Sequence, residues 1–175
     1  MSDTEIRLLV DDLISAWNDR DLERMLGCLD EDVVWSDPAM LYGPARGKTA
    51  VRKFSESVLR AFPDFSYRVR EPICIAQSGN RCAIPWEISA THTGRFDHLG
   101  FAPTHQAVTM QGVDVLELAG GKVTKIETYF DVVPAAAQAL RLRPLAECRA
   151  ARIIVLWAQR SRACWLRMTT TRKTE

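Results

Sequence analysis

The sequence predicts an α+β domain in which a curved antiparallel sheet folds over N-terminal helices and encloses a cavity. Three observations carry this. Apolar residues recur at helical spacing in the first third of the chain, they alternate at period two from Phe65 to Phe130, and short polar or glycine-bearing turns join the alternating segments. With 175 residues, 47% hydrophobic and 26% charged, the chain can bury a substantial core in one domain.

Ser2 and Glu5 have capping-box spacing, and Ile6, Leu9, Val10, Leu13, Ala16 and Trp17 share one helical face, so a first helix ends near Asn18. A short second helix follows over Asp21 to Leu29. Val33, Val34 and Trp35 read as a brief strand that Ser36, Asp37 and Pro38 stop. Beyond a loop marked by Gly43, Pro44 and Gly47, the stripe Val51, Phe54, Val58, Leu59 and Phe62 predicts a third helix closed by Pro63. Phe65 to Ala76 and Arg81 to Thr93 are strands on either side of a Gln77-Ser78-Gly79-Asn80 turn, with Cys82, Ile84, Trp86, Ile88, Ala90 and His92 on one face. Gln106 to Leu118 and Val123 to Phe130 form a long hairpin through Ala119, Gly120 and Gly121. Pro134 to Leu140 predicts a short closing helix, and Ala146 to Trp165 a further one in a tail that does not read as core. The domain therefore spans residues 1–140, and 141–175 form a basic C-terminal extension, helical or disordered.

The long hairpin holds the most informative residue. Asp114 shares a face with Val108, Met110, Gly112, Leu116 and Leu118, so an ionisable group looks into an apolar interior. Such a carboxyl either bonds to a buried polar neighbour or, with its pKa raised, does acid/base work. Asp37 either caps a turn beside Pro38 or faces the same cavity. Two facing carboxyls push each other's pKa apart, leaving one as acid and the other as base, which suits moving a proton alpha to a carbonyl. His92 is a pocket residue able to shuttle protons, or a hydrogen-bonded structural histidine. Trp17, Trp35, Trp86 and Phe130 form either an aromatic wall for a flat ligand or ordinary core.

Composition excludes several classes. No apolar run is long enough to span a bilayer, and acids stand near the N-terminus where a secretory signal carries bases, so a cytoplasmic location without membrane insertion is expected. Five cysteines, Cys28, Cys74, Cys82, Cys148 and Cys164, form no CxxC pair and read as reduced thiols. His92, His98, His105 and Asp97 lack metal-ligand spacing, and no GxSxG, P-loop or GxGxxG occurs, so neither metal nor cofactor is expected. The net charge of +1 hides eight arginines and Lys173 against Glu147 and Glu175 from residue 141 onward, a local +7 that leaves −6 on residues 1–140. Lacking a nucleic-acid module, that tail reads as solvated rather than as a specific nucleic-acid contact.

Four stretches together carry a family resemblance: THTG at Thr91 to Gly94, GFAPT at Gly100 to Thr104, GVDVLEL at Gly112 to Leu118, and GGKVTKIETYFD at Gly120 to Asp131. In order and spacing they resemble the SnoaL-like polyketide cyclase family of the nuclear transport factor 2-like superfamily, over roughly residues 5–140. The resemblance implies a cone-shaped barrel of mixed or antiparallel sheet over the helices, with an apolar pocket. It also implies dimers through the outer sheet face, which Ala107, Thr109, Gln111, Val113 and Val115 would supply.

Each chemistry known for this superfamily matches in part. Asp37 and Asp114 are similar in position to the base and the protonated Asp of ketosteroid isomerase, a system the general rule for protonated carboxyls is drawn from, but Leu13 stands where that family has a tyrosine. Thr128 stands where SnoaL-type cyclases have their acid/base Asp. Arg95 and Asp97 resemble the Arg-Asp pair of epoxide hydrolases, whose third member again falls at Thr128. The expected function is cofactor-free isomerisation or cyclisation of an apolar polyketide- or steroid-like carbonyl compound. Asp114, Asp37 and His92 would be catalytic, with Trp17, Leu13, Trp35, Trp86, Met110, Thr128 and Phe130 lining the site. The alternatives are a non-catalytic binding module on the same fold and epoxide hydrolysis.

Overall fold

The computed structural model describes residues 1–97 and 99–139. The expectations that fall on His98, on residues 141–175 and on the Ala146 to Trp165 helix lie outside these residues. Helix α1 (Asp3–Asp19) begins as its capping box predicts, with Ser2 Oγ accepting from the Glu5 amide at 3.3 Å and Glu5 Oε2 accepting from the Ser2 amide at 2.7 Å. It buries Ile6, Val10, Leu13, Ala16 and Trp17. Helix α2 (Leu22–Gly27) is shorter than its apolar pattern suggests, because β1 (Leu29–Ser36) starts at once: Leu29 is already paired with Val123. After β2 (Ala45–Arg46) comes α3 (Gly47–Ala61), and then β3 (Ser66–Val69), β4 (Cys74–Ile75), β5 (Arg81–Thr91), β6 (Ala107–Ala119), β7 (Lys122–Phe130) and α4 (Val132–Ala139).

The strands form one curved sheet in the order β2-β1-β7-β6-β5-β3, with β4 alongside β5. Every pairing is antiparallel except β1 with β7, so the sheet is mixed. The expected single strand from Phe65 to Ala76 is two strands, for a backbone reason. Pro85 lacks the amide that would pair across from Arg70, while its carbonyl accepts the Arg70 amide at 3.0 Å; Pro72 lacks a second donor in the same gap. The chain leaves the sheet between Val69 and Cys74 and re-enters as β4.

One small side chain holds the edge strand to the helical layer. Asn18, at the end of α1, donates to the Tyr67 carbonyl at 2.9 Å and accepts from the Tyr67 amide at 2.8 Å, completing the outward backbone groups of β3 as a further strand would. The THTG word is explained by a close approach. The Thr93 and Gly94 amides both donate to the Ala61 carbonyl at 3.0 Å, and a Cβ on Gly94 would fall 1.8 Å from the Arg60 carbonyl oxygen, so only glycine lets β5 leave the end of α3 there. The core between helices and sheet is aromatic: Trp35 meets Trp17 edge-on at 5.9 Å and Phe54 at 5.2 Å.

Candidate active site

Between the helices and the concave face of the sheet lies a cavity of about 310 Å³, within the size range of small-molecule sites. Its wall is aromatic and aliphatic, and Trp17, Trp35, Trp86, Met110 and Phe130 all reach it. Leu13 does not. It lies behind the wall with Ile84, Leu116 and Ile126 around a void of about 20 Å³ beneath Asp114, because the face of α1 that carries it packs on the sheet below the cavity. The expectation that Leu13 touches a ligand is therefore corrected.

Asp37 and Asp114 both line this cavity, and the register explains why. Thr128 pairs with Asp114 across β6 and β7. On the other side of β7, Ser36 pairs with Glu127, so Asp37 comes alongside Thr128. The two acids thus flank Thr128 from neighbouring strands on the same face, with backbones roughly 10 Å apart as two sheet spacings require. Thr128 is no empty place between them. It is buried, and its Oγ1 accepts from Trp35 Nε1 at 3.0 Å, which leaves the hydroxyl proton free to turn toward Asp114.

Asp114 is surrounded by polar atoms within an apolar shell. The Tyr67 hydroxyl donates to Oδ2 at 2.9 Å, whereas Oδ1 and the nearby Trp86 Nε1 are buried with no partner in hydrogen-bond geometry among the described residues. Burial raises the pKa of Asp114, outweighing the lowering by Thr128, Tyr67 and Trp86. Burial likewise raises Tyr67 well above its ordinary value, reinforced by the charge and hydrogen bond of Asp114. Asp37 keeps some of its surface open to the cavity. Burial still pushes its carboxyl up to about 7, against the Ala39 amide that donates to Oδ1 at 2.7 Å, and the Asp114 charge adds to the rise.

Gly112 makes room for this arrangement. A Cβ there would meet the Trp86 ring at 2.4 Å and the Tyr129 carbonyl oxygen at 2.4 Å, so the missing side chain is what lets the indole lie beside Asp114. Tyr67 was not singled out from the sequence. Its signal is the parity Phe65, Tyr67, Val69, which turns the tyrosine inward on β3 and supplies from a strand the hydroxyl that Leu13 cannot supply from α1.

His92 lines the same cavity far from the acids. It lies eight residues along β5 from Ile84, the partner of Asp114, which is roughly 25 Å of extended strand and less across the curve. A direct proton transfer between His92 and either carboxyl has no support in that placement. Arg95 and Asp97 are surface groups paired with each other at 3.1 Å, Asp97 also pairs with Arg60, and neither Arg95 nor Asp97 lines the cavity. The epoxide-hydrolase constellation is not assembled. Among the described residues no helix is long and apolar enough to cross a membrane, and no group of side chains could hold a metal ion.

A cone of curved sheet over helices, closed on an apolar cavity with a few inward polar groups, defines a small-molecule site. The chain belongs to the SnoaL-like polyketide cyclase family, whose model matches residues 7–139. Among solved structures it is similar to AclR of Streptomyces galilaeus, provisionally described as a hydroxylase, with 25% identity over 97% of this chain and 98% of that one and a TM-score of 0.69. A protein of Jannaschia sp. CCS1, provisionally described as a SnoaL-like polyketide cyclase, shares 18% identity over 82% and 97% of the two chains with a TM-score of 0.70. TerC, co-crystallised with polyporic acid, shares 20% over 78% and 98% with a TM-score of 0.63. No curated protein matches the chain significantly.

The raised carboxyls set a pH dependence of stability. A group whose pKa is higher folded than unfolded adds stability that is complete below its unfolded pKa, 3.8, and is lost as pH rises through the folded one, near 7 for Asp37. Asp114→Asn removes the share due to Asp114 while keeping a side chain that accepts from Tyr67. Its Tm should exceed that of the wild type at pH 8, and the two should converge near pH 4. Thermal melts across that range check this; a variant less stable at pH 8 would mean that Asp114 is ionised and held by its neighbours.

Proposed function

We propose that this protein performs acid/base isomerisation or cyclisation of an apolar carbonyl compound without a cofactor, in the cytoplasm, with residues 1–140 as the working domain. The observation that carries the reading is the pair of carboxyls on one apolar cavity, both with raised pKa.

The surroundings of the two acids support a different role for each. Asp37, with a pKa of about 7, is ionised in part of the molecules at neutral pH and is basic enough to take a proton from carbon. On this reading Asp114 is the proton donor to the substrate carbonyl oxygen, with Tyr67 fixing its orientation. Asp37 removes the proton alpha to the carbonyl. The C–H electron pair becomes the enolate π bond and the carbonyl pair moves onto oxygen, where Asp114 stabilises it. Isomerisation follows when Asp37 returns the proton to a conjugated carbon. Cyclisation follows when the enolate carbon instead attacks a second carbonyl of the same molecule, forming a C–C bond and an alkoxide that takes the proton from Asp37. The aromatic wall of Trp17, Trp35, Trp86 and Phe130 suits a flat, several-ringed substrate.

With a polyketide- or steroid-like ketone as substrate, kcat should rise with pH along a midpoint near 7 as Asp37 ionises. Asp37→Asn should lower kcat by about 10²–10⁴-fold with little change in KM. Product mass gives the other half of the test. An unchanged mass, or one lower by water, agrees with isomerisation or cyclisation; an added oxygen, as the description of AclR would suggest, refutes this reading.

The same reading includes a homodimer through the outer sheet face, where Val113, Val115, Pro85 and the 57% exposed Tyr129 form an apolar centre. Ion pairs such as Arg68–Glu87 and Lys125–Glu127 ring it, the layout of an interface with a polar rim. Sedimentation at micromolar concentration should show a dimer, and a monomer would refute it.

A further inference from the structure

His92 is an unusual histidine for an apolar cavity, since its hydrogen-bonding needs are half met. It is 1% exposed and lies against the Phe62 ring, with centroids 5.1 Å apart. Nδ1 is 3.1 Å from Thr104 Oγ1, and the Thr104 hydroxyl in turn donates to the Ala139 carbonyl at the end of α4. With its only proton committed to Ala139, Thr104 can only accept from His92, so Nδ1 carries the ring proton. Burial holds the pKa of His92 below its ordinary value, partly opposed by the Ala139 carbonyl, so the ring stays neutral. Nε2 is thereby left as a bare lone pair, buried and without a partner among the described residues. A buried acceptor without a donor costs free energy comparable to a lost hydrogen bond, and a ligand is a natural source of the missing one.

We propose that His92 is a second polar anchor of the cavity, whose Nε2 accepts a hydrogen bond from a hydroxyl at the far end of an elongated ligand. This rests on the reading of the cavity as a carbonyl-binding site and narrows its substrate class: a rigid, several-ringed ketone carrying an O–H donor at the end opposite the reacting carbonyl. Between the two ends the lining is apolar, with Ile88, Ala90, Val108 and Met110 along the sheet, so a ligand polar in its middle is disfavoured. His92 on this account positions substrate and takes no part in proton transfer. A ligand with a carbonyl at the far end would face the Nε2 lone pair with its own and be rejected.

Testosterone and androstenedione test this directly, since they share an enone at one end and carry a hydroxyl and a carbonyl, respectively, at the other. Titration calorimetry should give about tenfold tighter binding of testosterone to the wild type, the worth of one hydrogen bond to a buried acceptor. His92→Phe should abolish that preference, whereas Arg95→Ala, outside the cavity, should leave the ratio unchanged. Because His92 is buried and the variant can fail to fold, nitrogen-15 NMR of the wild type supplies an independent reading: a protonated Nδ1, a bare Nε2, and a shift of Nε2 on adding testosterone but not androstenedione. Equal affinities, no binding of testosterone, a preference that survives His92→Phe, or a proton on Nε2 would each overturn the assignment. Absence of testosterone binding would count against the carbonyl-binding reading as well; the other outcomes bear on His92 alone, and the acid/base reading is tested separately by its pH–rate profile.

Discussion

The ionisation of Asp114 is the constraint around which the domain is arranged. A carboxyl taken out of water into an aromatic wall loses hydration that only hydrogen bonds or a proton can replace. Here the partners are incomplete. Tyr67 donates to one oxygen while the other has no partner in hydrogen-bond geometry among the described residues, and burial outweighs the favourable neighbours, so the pKa is raised. Asp37 faces the same cavity with the Ala39 amide as its hydrogen-bond donor, and burial pushes its pKa up to about 7.

The sheet makes that difference geometric. Because β1 runs parallel to β7 while β6 runs antiparallel to it, Asp37 and Asp114 arrive from opposite sides of Thr128 and on the same face. The position that carries the acid/base Asp in SnoaL-type cyclases holds a hydroxyl in this chain, flanked by two carboxyls. Thr128 links Trp35 to this site, Gly112 admits Trp86 beside it, and Asn18 holds the edge strand from which Tyr67 reaches it.

Much of this was legible in the sequence because strand parity is a strict rule. The alternation in the long hairpin turns Asp114 inward, and that of the preceding strand does the same for His92, with no tertiary information needed. Parity reports a face and not a depth or a distance. It could not show that His92 and Asp114, on one face of one sheet, lie at opposite ends of the cavity. Helical periodicity has the same limit: Leu13 and Trp17 share a stripe on α1, yet only Trp17 reaches the main cavity. The parallel β1–β7 pairing was hidden because β1 reads as a three-residue run cut off by Pro38, and its earlier residues, Asp30 to Asp32, look like loop. Tyr67 went unremarked because its strand is short and broken by Pro72 and Pro85, which obscures its own alternation.

The central claim is that one apolar cavity holds two carboxyls whose pKa values are both raised. The most direct test is carbon-13 NMR of the aspartate carboxyls, assigned with Asp37→Asn and Asp114→Asn and followed from pH 3 to pH 9. The account predicts a midpoint near 7 for Asp37 and a midpoint above the ordinary carboxyl value for Asp114. Midpoints for both near the ordinary value of about 3.9 would contradict it and leave the cavity without an acid or a base.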